Sequence, residues 1–87
     1  MRFRFLGQVQ PIGSTGNFEI RALAGDMPVR CVVERGAVMD GFSEAYVSDA
    51  EVLQLFAARS HEIELVASQR FFNGELSPVI KSRHMSR

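Results

Sequence analysis

The sequence predicts an α+β domain of order β-β-β-α-α-β: a largely antiparallel sheet of three to four strands, covered on one face by a short helix and a long one. Three observations predict it. Apolar residues alternate symmetrically about Gly25-Asp26, a capping signal at Ser48 opens a long helical stripe, and a last apolar run, Leu76 to Ser82, follows Gly74. The 87 residues, read as one domain over 1–87, lie at the small end of what folds alone. A chain this short buries roughly 60–65% of its unfolded surface, so its margin of stability is thin.

The first strand is expected over Phe3 to Val9, where Phe3, Phe5 and Val9 alternate with polar residues. The segment Pro11-Ile12-Gly13-Ser14-Thr15-Gly16 is dense in turn formers and leads into a hairpin. Its Gly/Ser/Thr content also invites a phosphate-loop reading. The segment has no P-loop lysine, however, and a strand follows it where an anion site would need a helix N-terminus, so it reads as a plain turn.

The hairpin spans residues 17 to 34. With Gly25-Asp26 as a two-residue turn, Ala24 faces Met27, Ala22 faces Val29, Ile20 faces Cys31 and Phe18 faces Val33. All of these are apolar and share one side of the sheet, and a slip of one residue would destroy the match. The opposite side carries Glu19, Arg21, Arg30, Val32 and Glu34, with Arg21 against Arg30 and Glu19 diagonal to Arg30. Pro28 suits a strand end or an edge.

After Glu34 the period changes. Ala37, Val38, Gly41 and Phe42 suit a short helix, weakened by Gly36 and Gly41 at roughly 1 kcal/mol each. The main helix starts at Ser48, where Ser48-Asp49-Ala50-Glu51 forms a capping box. Its core stripe is Leu53, Phe56, Ile63, Ala67 and Phe71, with Val52 and Val66 beside it, and Gly74 stops it. Such a helix would run roughly 37–39 Å, long enough for its last turn to fray or protrude. The closing strand, Leu76 to Ser82, carries Pro78 and reads as an edge; residues 83–87 read as a frayed tail.

Composition bounds the function. An apolar fraction of 46% and a charged fraction of 23% are ordinary for a globular chain. No apolar run reaches the ~18–20 residues of a membrane span, and residues 1–11 do not form a secretory signal. One cysteine cannot make an internal disulfide, so a reducing, cytoplasmic setting is expected. The formal net charge of +0 removes the usual electrostatic case for nucleic acid or membrane partners. The charges are unevenly placed: Arg2 and Arg4 sit at one end and Lys81, Arg83 and Arg87 at the other, while residues 40–64 are acidic.

Pro28-Val29-Arg30-Cys31-Val32-Val33, then Ala37-Val38 and Phe42, resembles the small bacterial domain-of-unknown-function family 1488, as do Phe56, Ile63 and Ala67 at their spacings on the long helix. The run Pro78-Val79-Ile80-Lys81-Ser82 is similar to that family's closing strand. This sequence departs from the family pattern at Glu34, where a capping serine is usual, at Gly36, where glutamate is usual, and at Ser60, where arginine is common. The resemblance implies a small bacterial α+β protein and no particular activity. Any role of the arginine at position 60 does not carry over.

No residue is expected to be catalytic, to bind a cofactor or to ligate a metal. Cys31 points inward, where a thiol behaves as a small hydrophobe. His61 lies off the apolar stripe as a solvated helix residue near Glu62 and Glu64, and those two carboxylates face different sides of the helix. His84 falls in the tail, and neither histidine has metal-ligand spacing. An enzyme using Cys31 or His61 ranks last. Two surfaces remain. Arg2 and Arg4 share a strand face, as do Lys81 and Arg83, and the four would form a phosphate-contacting patch if the two strands were neighbours. Phe72, off the stripe, suggests a protein interface. The expected function is a non-catalytic one exercised through protein contacts, by self-association or with another protein. Nucleic acid binding along the basic edge is the alternative, and no membrane role is expected.

Overall fold

The computed structural model describes residues 2–39 and 48–85. Strands β1 (Phe3–Pro11), β2 (Phe18–Ala24) and β3 (Met27–Val33) are followed by helices α1 (Arg35–Val38) and α2 (Asp49–Phe72), strand β4 (Val79–Ile80) and a 3-10 turn at Ser82–His84. The sheet order is β1-β2-β3-β4. The first three strands form an antiparallel meander, and β4 joins β3 in parallel after the helical crossover.

The hairpin has the expected register throughout. Gly25 has φ +62° and no described non-glycine residue has a positive φ, which fits a turn that needs glycine at its first central position. Phe18, Ile20, Ala22 and Ala24 are buried against α2 together with Val29, Cys31 and Val33. Met27 departs from expectation. Beside the turn, beyond the helix, it is 48% exposed.

Strand β1 runs further than expected and is irregular. Leu6 pairs with Arg21 and Gln10 with Glu19, so β1 carries two extra residues across this interval. Gly7, at φ +68°, supplies the backbone conformation that the bulge requires. Helix α1 is a single turn, Arg35–Val38, shorter than the expected stripe; Gly41 and Phe42 lie outside the described residues. Arg59 of α2 donates to the Val38 carbonyl at 3.2 Å and so ties the end of α1 to the long helix.

Helix α2 begins with the capping box: Glu51 N–H donates to Ser48 Oγ at 3.3 Å, and Ser48 N–H donates to Glu51 Oε1 at 3.2 Å. Its buried residues are Val52, Phe56, Ile63, Val66, Ala67 and Phe71, and Leu53 is half-buried. The last turn does not fray. Gly74 N–H donates to the Phe71 carbonyl and Glu75 N–H to the Arg70 carbonyl, a Schellman closure reinforced by an Arg70–Glu75 ion pair.

Strand β4 is shorter than the expected Leu76–Ser82. It is held through Val32 N–H to the Pro78 carbonyl and Glu34 N–H to the Ile80 carbonyl, both at 2.9 Å. The segment after residue 82, expected to fray, is packed as far as Met85, which is buried. His84 Nδ1 accepts from Lys81 N–H at 3.1 Å.

Candidate functional site

Two surfaces come out of this architecture, one on each side of the sheet. The helices cover only the inner face. On the outer face, side-chain alternation and the cross-strand register bring Arg4 and Leu6 of β1 beside Leu23 and Arg21 of β2, and Arg21 opposite Arg30 of β3. Arg2 continues the row from β1. Arg30 is engaged in an ion pair with Glu19. Arg2, Arg4 and Arg21 are exposed and have no ion-pair partner among the described residues.

The expected four-cation patch does not assemble. β1 and β4 are opposite edges of the sheet, separated by three strand spacings or about 14 Å, so Lys81 and Arg83 do not adjoin Arg2 and Arg4. On the outer face the cation on the strand beside β1 is Arg21, followed by Arg30 on the next strand. Both lie on the outer side of the hairpin, but only the order of strands shows that β1 lies against β2, and so beside Arg21, with Arg30 one strand further on. Phe72 is 50% exposed, and its ring lies 6.4 Å from that of Phe3. Arg2 and Arg4 flank Phe3 in the chain but alternate with it, so Phe72 stays on the helix side of the β1 edge while the two arginines face the other way. Leu65, one heptad before Phe72 on α2, is also exposed.

The second surface is a groove of about 650 Å³ between the β1 bulge and α2. Phe5, Ile20, Leu53 and Phe56 form its apolar floor; Gln8, Ser60, His61 and Glu64 line its polar side. Glu64 is fixed in place by Phe5 N–H, which donates to its Oε2 at 2.7 Å. Neither Glu64 nor Glu62 pairs with His61: Glu62 faces Arg59 at 3.7 Å. The side chains of Gln8, Ser60 and His61 form no hydrogen bond with described residues.

Cys31 is 0% exposed, and burial pushes its thiol up to about 11. The His84 imidazole is shifted down, first by burial and then by the nearby cations Arg70 and Arg83. Among the described residues, no three His, Cys, Asp or Glu side chains converge as metal ligands would. No helix among them is long and apolar enough to cross a membrane.

Fold and surfaces together define a small α+β protein with a four-stranded sheet covered on one side and a cationic open face on the other. The chain belongs to the family described as protein of unknown function DUF1488, whose model matches residues 18–78. It is similar to a crystal structure of a protein of unknown function from that family in Shewanella loihica PV-4, at 14% identity over 91% of each chain, with a TM-score of 0.76. At that identity the likeness concerns the fold. Comparison with curated proteins gave no match.

Proposed function

We propose that this protein is a non-catalytic binding module that docks an acidic protein partner on the open face of its sheet. The observation that carries this reading is the row of Arg2, Arg4 and Arg21, exposed and without ion-pair partners among the described residues, in a chain whose formal net charge is +0. Leu6, Leu23, Val32 and Val79 lie among the arginines on that side, the mixture of apolar and cationic groups that suits a protein interface. Both sheet edges favour contact through the face. β1 is bulged and its Phe5 N–H is taken by Glu64, while β4 has two residues.

Nucleic acid would also be drawn to these arginines. Among the described residues, however, Phe3, Phe5, Phe18, Phe56 and Phe71 all serve the core side, which leaves the open face without a ring for base stacking. The thiol of Cys31 is buried and shifted away from its reactive form, which favours a non-catalytic reading.

A photo-crosslinking amino acid placed at Leu23, on the open face, tests the proposal against the same label at Gln69 on the exposed side of α2. A protein adduct from position 23 that disappears in an Arg2→Ala, Arg4→Ala, Arg21→Ala triple variant is the expected result. An adduct removed by nuclease would transfer the reading to nucleic acid. No adduct, or one indifferent to the triple substitution, would end it.

A further inference from the structure

We propose that the groove between β1 and α2 is a binding site for a small amphipathic amine, with its apolar body on the Phe5–Phe56 floor and its ammonium group on Glu64. This site is separate from the open face, since the sheet lies between them.

The groove owes its existence to the bulge. The two extra residues between Leu6 and Gln10 carry β1 off the regular ladder, opening a space against α2 that a regular strand would close. Its 650 Å³ is within the range of sites that enclose small ligands. The floor is apolar and includes the rings of Phe5 and Phe56, whose centroids are 6.3 Å apart. Such a surface takes an aromatic or branched aliphatic body.

The polar side selects the head group. Among the described residues, Glu64 is the only acidic side chain on the lining, where the other titratable side chain is His61 and no lysine or arginine is found. One of its oxygens already accepts from Phe5 N–H, which fixes the carboxylate in place and leaves further lone pairs for a ligand. Gln8 and Ser60, without hydrogen-bond partners among the described residues, offer two more acceptors. An ammonium group has three donors to give, and a charge-assisted bond to a preset carboxylate is the strongest of the three available contacts. An anionic head would meet Glu64 with no lysine or arginine among the described lining residues to offset it.

The test uses phenethylamine, with phenylacetate and phenethyl alcohol as the anionic and neutral counterparts, titrated into uniformly 15N-labelled protein. The amine should give saturable amide shifts centred on Gln8, Ala57, Ser60 and Glu64, and phenylacetate should bind at least about tenfold more weakly. Glu64→Gln keeps an oxygen for Phe5 N–H but removes the charge, and should weaken the amine about fivefold to tenfold without altering the alcohol. Ala57→Trp, at an exposed helix position on the groove wall, should abolish binding of both while the rest of the spectrum stays native. Should that variant fail to fold, Glu64→Gln decides alone. Equal binding of amine and phenylacetate, indifference to Glu64→Gln, or no saturable shift up to about 10 mM amine would overturn the proposal. The Arg2, Arg4, Arg21 triple variant should bind the amine as the native protein does, so the two proposals fail separately.

Discussion

Cys31 gives the sharpest measure of whether the core is as closed as its geometry indicates. Its thiol is 0% exposed, flanked on β3 by Val29 and Val33 and faced on β2 by Ile20. A disulfide reagent attacks the thiolate. At about pH 8 a thiol with the ordinary value of 9.0 is roughly 10% ionised, and one raised to about 11 is roughly 0.1% ionised. Ionisation alone therefore slows the reaction about 100-fold. Access sets the larger limit: a fully covered sulfur reacts only when the sheet opens, and there it regains its ordinary ionisation, so the two factors do not multiply. For a domain with about 5 kcal/mol of stability, the open state is populated to roughly one part in several thousand. The native protein should thus react with an aromatic disulfide three to four orders of magnitude more slowly than the same chain in concentrated guanidinium, followed by thiolate release in the visible absorbance. Subdenaturing guanidinium should accelerate it along the global unfolding slope. A native rate within about tenfold of the unfolded one would refute the closed-core reasoning and restore Cys31 as a candidate nucleophile.

Two further outcomes follow from local geometry. Ser48→Ala removes the hydroxyl of the capping box and should cost about 1 kcal/mol, read as a fall in Tm of about 4–8 °C; an unchanged Tm would mean the box does not hold the helix start. His84 has a folded-state pKa below its ordinary 6.5, so the unfolded chain takes up the proton first. Its contribution to stability is present above about pH 6.5 and is lost as pH falls through the lower folded value, when a protonated Nδ1 can no longer accept from Lys81 N–H. Equilibrium unfolding between about pH 7 and pH 5 should therefore show a steeper decline for the native protein than for His84→Gln, and parallel declines would count against it.

What could be read from the sequence was what short-range pattern determines. The hairpin register was legible because apolar residues alternate symmetrically on both sides of Gly25-Asp26, so only one pairing buries them all. The start of α2 was legible because a capping box lies within four residues. Other features depend on partners distant in the chain. Gly7 inside an otherwise alternating strand was the available sign of a bulge, yet nothing nearby says that the bulge faces α2 and opens a groove there. The run Arg83-His84 suggested a loose tail; Met85 was the apolar anchor that contradicted it, visible only once a pocket exists to receive it. The basic patch was placed wrongly for a topological reason. A helical crossover sets β4 beside β3, which leaves the chain's two basic ends on opposite edges, while β1 pairs with β2 and so comes beside Arg21.

A net charge of +0 concealed this asymmetry because the acids and bases are used differently. Glu19, Asp49, Glu62 and Glu75 are matched by Arg30, Arg35, Arg59 and Arg70, Glu51 is spent on the cap of α2, and Glu64 is fixed to the backbone of β1. Arg2, Arg4 and Arg21 have no such assignments among the described residues and share the face that the helices leave uncovered. Cancellation in the total is therefore no guide to the local field: Glu19 shares the outer face but is engaged with Arg30, which leaves the charge of the other three arginines uncompensated by any ion pair with a described residue. The same division places Glu64 alone in the groove on the far side. One small sheet thus separates the face proposed to meet an acidic partner from the groove proposed to take an amine, and the bulge at Gly7 together with the one-sided helical cover is what keeps them apart.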